Sequence, residues 1–337
     1  MPKGFYPIPH PTLVCISRGT KMTFYEGKHI LVTGGAGAIG WNLVQILARI
    51  PECTVTVLDD FSSGKERVVA KNVEYIEGSI VDNAHLEEAF RKKPRVVFHL
   101  ASHFANQNSV EHPAADLQVN GLGTLRLLEW ARQCQVERFI FTSSSCVYGN
   151  NHETAENTAL EDFHTPYAIH KYLGELYCNY FHGLFAVPTI ILRYFNCYGP
   201  GELPGKYRNV IPNFIALALQ GKPLLLTGSG KETRDFNFVE EVVKKTLFIA
   251  AHPDTIGKTF NIGSGKEVEI EFIAKRINAL VGNAAGIEKQ PRRDWDGVEK
   301  RSADVRKFAA LGYPEAHISL DEGLKKTIAY IKQRLPL

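Results

Sequence analysis

The sequence lacks the long apolar runs and the strong net charge that would indicate a membrane or nucleic-acid-binding protein. No apolar run approaches the roughly twenty residues of a membrane helix, and prolines at 2, 7, 9 and 11 interrupt the start, where a signal peptide needs an unbroken apolar segment. The net charge of +3 is too small to indicate a polynucleotide partner. We therefore expect a cytoplasmic protein with neither a membrane nor a nucleic-acid partner.

Paired cysteines and metal-ligand patterns are also missing. The six cysteines form no CxxC pair, and several fall inside predicted strands or helices, which favours buried thiols in a reducing compartment. The histidines show neither HxxxH nor carboxylate-paired spacing, so we expect no metal site. Met22 stands six residues before Lys28. We interpret residues 1–27 as an N-terminal extension and expect 1–21 to be poorly ordered or to lie on the surface.

A glycine-rich turn is the most informative segment that the sequence contains. The apolar run 30–33 is followed by Gly34, Gly37 and Gly40 at three-residue spacing, and then by an amphipathic stretch at 41–50. Strand, tight turn and helix in this order let a pyrophosphate approach the backbone amides at the start of the helix. An ordinary strand-to-helix turn would explain the glycines alone equally well.

The next apolar run supports the nucleotide interpretation. It ends in Asp59 and Asp60, about twenty residues past the glycines, where an acidic side chain meets a ribose 2′-hydroxyl. Because an acidic group repels a 2′-phosphate, the pattern predicts NAD rather than NADP as the cofactor.

The alternation of short apolar runs with helical stretches predicts an α/β fold, a doubly wound parallel sheet with helices on both faces. The predicted strands are 30–33, 54–58, 73–76, 96–100, 138–142 and 189–193, and the predicted helices between them are 41–50, 84–91, 116–134 and 168–182. This predicts an NAD-binding Rossmann domain over residues 28–198.

The chain changes character after residue 198, where loops become rich in Gly, Pro and Arg. The patterns predict helices at 210–220, 238–250, 270–280 and 320–332 and strands at 223–226 and 259–262. We expect residues 236–263 to return to the first domain. Residues 199–235 and 264–337 then form a smaller C-terminal substrate-binding lobe.

Two segments carry candidate catalytic groups. Tyr167 and Lys171 are four residues apart, on one face of a predicted helix, where a cation lowers the pKa of a phenol and makes it a base toward a hydroxyl. The predicted strand before them ends in the hydroxyls of Ser143, Ser144 and Ser145, at the edge where parallel sheets bind ligands. The alternatives are an exposed Lys beside a half-buried Tyr, and serines that only cap a turn.

These motifs, in this order, resemble the nucleotide-sugar epimerases of the extended short-chain dehydrogenase/reductase family, UDP-glucose 4-epimerase among them. The resemblance runs from about residue 28 to the C-terminus. The residues that carry it are 33–40, Asp59, 98–101, Asn120, 143–149, Tyr167, Lys171, 193–196, Gly199, Pro200 and 234–236.

The resemblance implies a role for each matching residue. Tyr167 is the base, Lys171 tunes it and binds the nicotinamide ribose, and Ser144 hydrogen-bonds the reacting hydroxyl. Asn120 is the structural fourth member, and residues 205–212 wrap the nucleotide. The implied NAD-binding residues are Gly34, Gly37, Ala38, Ile39, Asp59, Asp60, Ser79, Ile80, Leu100, Ala101, Ser102, Asn120, Tyr167, Lys171 and Tyr194. The implied substrate-binding residues are Ser144, Ser145, Asn196, Val210, Arg234 and Arg293.

The implied activity is NAD-dependent epimerisation of a nucleotide sugar, with C4 of a UDP-hexose or UDP-uronate inverted through a transient 4-keto sugar. Related dehydratases and decarboxylases carry carboxylates beside the catalytic hydroxyl, where this chain has Ser145 and Cys146. This difference favours epimerisation. A 4,6-dehydratase, a reductase and a non-catalytic NAD-bound sensor remain the alternatives.

The chain departs from the family pattern at several positions. Ala38 and Ser79 replace residues that contact NAD, whereas His170 and the loop 103–109 leave the identity of the sugar open. Arg301 is a candidate partner for a substrate carboxylate, the alternative being a surface arginine.

The resemblance also implies a homodimer. The predicted helices 116–134 and 168–182 match the two with which the family forms a four-helix bundle between subunits. Leu117, Leu125 and Leu128 are better interpreted as core residues than as dimer contacts.

Overall fold

The computed structural model describes residues 22–314 and 318–335, and its first residues already belong to the core. Residues 1–21, for which the sequence predicts a poorly ordered extension, lie outside the described residues. Met22–Tyr25 forms a short 3-10 helix, and the hydroxyl of the buried Tyr25 donates to the Leu247 carbonyl oxygen at 2.7 Å. The end of the predicted extension is therefore anchored to the rest of the fold.

The described residues form short strands and longer helices in alternation. The strands are β1 (His29–Thr33), β2 (Thr54–Asp59), β3 (Val73–Glu77), β4 (Val96–His99), β5 (Arg138–Ser144), β6 (Thr189–Tyr194), β7 (Cys197–Tyr198), β8 (Leu224–Thr227), β9 (Thr233–Arg234), β10 (Asn237–Phe238), β11 (Thr259–Ile262), β12 (Val268–Glu269) and β13 (Ile287–Gln290). The α-helices are α1 (Ala38–Leu47), α2 (Asn83–Phe90), α3 (Asn106–Glu111), α4 (Pro113–Asp116), α5 (Thr124–Gln133), α6 (Pro166–Phe185), α7 (Val210–Leu219), α8 (Val239–Ala251), α9 (Ile270–Val281), α10 (Arg306–Ala309) and α11 (Leu320–Lys332).

A seven-stranded parallel sheet lies at the centre, in the order β11-β6-β5-β4-β1-β2-β3. The chain runs outward from β1 to β3, crosses to β4 and runs outward again on the other side. The connections after β1 and β4 therefore leave in opposite directions, and open parallel sheets bind ligands at such a point. The predicted fold class is confirmed, with the returning strand β11 as the seventh strand. The division into two domains stays a prediction.

Alternation along the strands divides the core between the two faces of the sheet. In β1, Ile30 and Val32 pack into the cluster that contains Leu43 of α1 and Val243 of α8. The intervening Leu31 belongs to the opposite cluster, with residues of α5 and α6. Because both faces are covered by helices, the strands read as nearly continuous apolar runs.

A third apolar cluster lies in the C-terminal part of the chain, where α7, α9 and α11 pack together. Here β8 pairs in parallel with β13, a strand that the sequence analysis missed. Only Ile287 of β13 is apolar and the three residues after it are exposed, so the strand has no apolar pattern to reveal it.

The predicted helix 116–134 is interrupted rather than regular. Leu117–Gly123 forms a π-helical segment between α4 and α5, a form that is rare and occurs mostly next to functional sites. Leu117 was predicted to be a core residue, but its side chain is 44% exposed, so that prediction is wrong. Leu128 is fully buried as expected.

Helix α6 is held against the sheet by close packing and by a buried ion pair. Gly174 lies so near the sheet that a Cβ atom there would meet the Phe141 ring at 2.3 Å. Glu175 accepts from Arg193 of β6 through both carboxylate oxygens, at 2.9 and 2.7 Å, and from the Ser143 hydroxyl of β5 at 2.5 Å. These contacts set the position of the helix relative to the carboxyl ends of β5 and β6.

Candidate active site

A cavity of about 820 Å³ opens at the carboxyl edge of the sheet, next to the glycine-rich turn. Gly34 has φ +73°, and a Cβ atom there would lie 2.5 Å from the Ala101 backbone nitrogen. At Gly40 an added Cβ would come 2.2 Å from the Gly34 carbonyl oxygen. The turn thus needs glycine for its backbone conformation and for its contact with the first turn of α1.

The start of α1 fits the pyrophosphate of a dinucleotide. Gly37 is its N-cap and supplies no side-chain cap to the first amides of the helix. Gly37, Ala38 and Ile39 line the cavity. Free amides at the positive end of a helix dipole form an anion-binding site.

Asp59 lies at the end of β2 with 8% of its surface exposed. Its carboxylate accepts from the backbone nitrogens of Ala36 and Phe61, each at 2.8 Å. Burial raises the pKa of Asp59, and the two backbone hydrogen bonds oppose that rise. The carboxylate is therefore held rigidly beside the turn, as the ribose role requires.

All but one of the predicted NAD-binding residues line the cavity. The exception is Asn120, which is buried behind the wall with 1% of its surface exposed. Its Oδ1 accepts from the Ser102 hydroxyl at 2.8 Å and from the His103 backbone nitrogen at 3.0 Å. Asn120 therefore positions the segment 102–103 and is not among the residues that line the cavity, so a direct contact with the cofactor stays a prediction.

The three predicted catalytic residues meet in the cavity. Tyr167 lies at the start of α6, where Thr165 caps the helix, and it lines the cavity together with Ser144 and Ser102. Lys171 is 3% exposed and donates to the Thr142 carbonyl oxygen at 2.9 Å. Its Nζ lies 5.7 Å from the centre of the Tyr167 ring. The predicted spacing on one helix face therefore places both groups beside Ser144.

The effect of Lys171 on the pKa of Tyr167 stays a prediction, because burial dominates the pKa of both groups. The pKa of Tyr167 is raised, mainly by burial and further by Cys146 and Asp116, and hydrogen bonds from Ser144 and Ser102 oppose the rise. Burial lowers the pKa of Lys171 to about 8, and Asp116 and Cys146 act against that lowering. Burial therefore works against the charged form of each member of the catalytic pair.

Two departures from the family pattern meet at one buried carboxylate behind the catalytic pair. Asp116 is fully buried and lies 2.5 Å from His170 Nδ1 and 3.6 Å from His103 Nδ1. It also accepts from Asn120 at 2.9 Å. His170 thus contacts a residue of α4 rather than the cavity. The sequence analysis missed Asp116, because only the fold brings residues 103, 116 and 170 together.

All six predicted substrate-binding residues line the cavity: Ser144, Ser145, Asn196, Val210, Arg234 and Arg293. Arg234 donates to the carbonyl oxygens of Thr233 and Val298 and lies 3.5 Å from an Asp296 carboxylate oxygen. Arg293 is exposed and its guanidinium lies 5.5 Å from the centre of the Trp295 ring. The lining of the cavity therefore includes several arginines, which suit an anionic substrate.

The predicted nucleotide loop 205–212 lines the cavity with its residues 205–210. Lys206 Nζ and the Tyr207 hydroxyl both contact Glu111 Oε2 at 2.7 Å. Arg208 donates to the Ser63 carbonyl oxygen at 2.6 Å. The loop therefore bridges the cavity from the C-terminal part of the chain to α3 and to the segment after β2.

Comparison with known proteins identifies the family. A sequence profile of the NAD dependent epimerase/dehydratase family matches residues 30–263. The chain belongs to this family. The predicted resemblance is thereby confirmed, and so is NAD as the expected cofactor of the fold.

Several proteins are similar to this chain over most of its length. An epimerase from Methanothermobacter thermautotrophicus is 44% identical, with a TM-score of 0.91 over 93% of this chain and 94% of its own. A UDP-glucose 4-epimerase from Thermotoga maritima, solved with UDP-glucose, is 34% identical, with a TM-score of 0.85 over 90% of this chain and 99% of its own. A UDP-N-acetyl-alpha-D-glucosaminuronate decarboxylase from Bacillus cytotoxicus is 34% identical over 91% of this chain and 98% of its own length.

The described residues contain neither a metal-binding cluster nor a membrane-spanning helix. Within 22–314 and 318–335, no group of three or more His, Cys, Asp or Glu side chains is arranged to hold a metal ion. In the same part of the chain, no helix has the length and apolar character needed to cross a membrane.

The lowered pKa of Lys171 predicts a pH-dependent stability. Since the folded pKa of about 8 lies below the usual 10.5, the unfolded chain binds more protons between these values. The free energy of unfolding therefore gains from Lys171 as the pH rises from 8 to 10. Urea unfolding of wild type and Lys171→Met should show a difference, wild type minus variant, that increases over this window.

The exposed Lys300, outside the cavity, offers a matched control. Lys300→Met should leave the pH dependence of the unfolding free energy as it is in the wild type. A wild type minus Lys171→Met difference that stays constant over the same window would contradict the burial of a titrating ammonium group.

Proposed function

We propose that this protein is an NAD-dependent nucleotide-sugar epimerase that inverts C4 of a UDP-hexose or UDP-uronate through a transient 4-keto sugar. The observation that carries the proposal is the meeting of Tyr167, Ser144 and Lys171 at one cavity that also holds the dinucleotide cradle. The similarity of this chain to UDP-glucose 4-epimerases, over about nine-tenths of its length, supports the proposal.

The chain's own groups handle the proton and the position of the sugar. Ser144 and Tyr167 both line the cavity, so a sugar hydroxyl between them gives its proton to the ionised Tyr167 oxygen while Ser144 holds the sugar oxygen. Bound NAD supplies the acceptor and then the donor of the hydride from C4. The proton returns from Tyr167 to the same oxygen, so no proton or electron is gained or lost overall.

The residues around Ser144 favour epimerisation over elimination or decarboxylation. Ser145 and Cys146 occupy the positions after it, and neither can serve as the carboxylate that those reactions require. The decarboxylase among the relatives keeps decarboxylation as the second candidate. A non-catalytic sensor is disfavoured, because Tyr167, Lys171 and Ser144 are all in place.

Replacement of the base tests the proposal. Tyr167→Phe removes the proton acceptor and should lower turnover by about 10²–10⁴-fold, the usual contribution of a general base. Proton NMR of UDP-glucose, UDP-N-acetylglucosamine and UDP-glucuronate, each incubated with the purified protein and NAD, measures inversion at C4. Calorimetry with UDP measures the affinity for the nucleotide, which should be unchanged.

The matched control is Tyr172→Phe on the same helix, where the ring stacks on Phe163. It should keep full turnover. Equal turnover in Tyr167→Phe and wild type would contradict the assignment of the base.

We propose a cytoplasmic homodimer that associates through α6 and the π-helical segment. Ile169, Leu176, Tyr180 and Leu184 lie at helical spacing on one face of α6, and each is about half exposed. Leu117, on the neighbouring π-helical segment, is exposed beside them. A second copy of the same face would bury these side chains, because contiguous exposed apolar patches mark interaction sites.

Charge placed on this face should separate the subunits. Leu176→Glu with Leu184→Glu should give a monomer in sedimentation velocity, whereas Phe272→Glu, an exposed apolar position on α9, should leave the dimer intact. A wild-type monomer, or a dimer that survives both glutamates, would contradict the proposal.

A further inference from the structure

Arg301 is a buried arginine that has no anionic partner in the described part of the chain. Only 7% of its surface is exposed, and it lines the same cavity as the catalytic residues. One of its Nη atoms donates to the Gly149 carbonyl oxygen, and the other lies 3.8 Å from Cys146 Sγ, a weak acceptor. Its buried Nε has no hydrogen-bond partner, and no carboxylate among residues 22–314 and 318–335 forms an ion pair with it.

The surroundings add positive charge rather than neutralise it. The neighbouring Arg234 is also largely buried, and the charge of Arg301 contributes to a lowered pKa of Arg234, after the larger effect of burial. Asp296 lies 3.5 Å from Arg234 and forms no ion pair with Arg301. A buried charge without a partner is strongly unfavourable, so this end of the cavity is built to receive an anion.

The backbone holds Arg301 in a fixed position. Thr154 donates to the Ser302 carbonyl oxygen at 2.6 Å and accepts from the Asp304 nitrogen at 2.9 Å. Asp235 accepts from the Ala303 nitrogen at 3.0 Å. A guanidinium fixed in this way forms two parallel hydrogen bonds to a carboxylate at little cost in side-chain entropy.

Arg301 lies close to the predicted catalytic residues. Its contact Cys146 comes two residues after Ser144, and Cys146 is close enough to Tyr167 to raise the pKa of that phenol. Asn106 approaches the same sulfur at 3.4 Å. A sugar with its C4 hydroxyl between Ser144 and Tyr167 therefore places the substituent of the adjacent ring carbon near Arg301.

We propose that Arg301 binds a carboxylate on the sugar ring, so that the substrate is an acidic nucleotide sugar, a UDP-uronate, rather than a neutral UDP-hexose. The inference rests on the proposed function, because it assumes that the sugar reacts at C4 between Ser144 and Tyr167. The diphosphate is served by the exposed Arg293 and by Arg234, which leaves the sugar end to Arg301.

The test compares binding of two matched pairs of ligands. Calorimetry uses the Tyr167→Phe protein supplied with NAD, so that no turnover disturbs the measurement. UDP-glucuronate should bind at least about tenfold more tightly than UDP-glucose, as a charge-assisted hydrogen-bonded pair provides. The N-acetylated pair, UDP-N-acetylglucosaminuronate and UDP-N-acetylglucosamine, should show the same preference. Equal affinities within both pairs would overturn the inference without any variant at Arg301.

A variant then assigns the preference to the guanidinium. Arg301→Met in the same background should remove the preference for the acidic sugars and leave the affinity for UDP unchanged. Lys300→Met, an exposed cation one residue away, should keep the preference. An equal loss of affinity for UDP and for all four sugars would instead place Arg301 at the diphosphate, and the inference would fail.

Product analysis separates this inference from the proposed function. Inversion at C4 of a UDP-uronate by the otherwise unaltered protein supports both. A tight, Arg301-dependent uronate complex that yields carbon dioxide and a UDP-pentose supports the carboxylate site and contradicts epimerisation. Inversion of neutral sugars alone contradicts the carboxylate site and leaves epimerisation in place.

Discussion

The placement of helix α6 on the central sheet is the constraint on which the whole site depends. The helix carries both Tyr167 and Lys171, and Ser144 stands at the end of β5, so only a fixed distance between helix and strand lets the three groups meet. The buried pair of Glu175 with Arg193 sets that distance. Each partner needs the other, because removal of one leaves a buried charge that costs about 3–5 kcal/mol.

The cavity is organised by charge along its length. The uncapped start of α1 and the rigid Asp59 suit the pyrophosphate and the ribose of NAD. The lining also includes Arg234 and Arg301. The predicted catalytic groups are the hydroxyls of Ser144 and Tyr167 and the buried ammonium group of Lys171, which can move a proton and return it. Such a site suits a reaction with no net change in protons or electrons.

The sequence predicted the parts of the site that depend on local patterns. The glycine spacing, the acidic end of β2 and the four-residue spacing of Tyr167 and Lys171 are all local, and the structure brings these groups to one cavity. The contact between Arg301 and Cys146 joins residues 155 positions apart, so only the fold reveals it. The grouping of Asp116 with two histidines is hidden for the same reason. Strand β13 was missed because backbone pairing with β8, rather than an apolar pattern of its own, holds it in place.

The central claim is that the C4 hydrogen leaves and returns as a hydride inside one closed site. The most direct measurement follows UDP-glucuronate carrying deuterium at C4 through turnover in ordinary water, with proton NMR as the readout. The account predicts that both epimers keep the deuterium at C4, because it never exchanges with solvent. Inversion at C4 with loss of the deuterium to water would mean that the carbon is deprotonated and reprotonated, and would contradict the account.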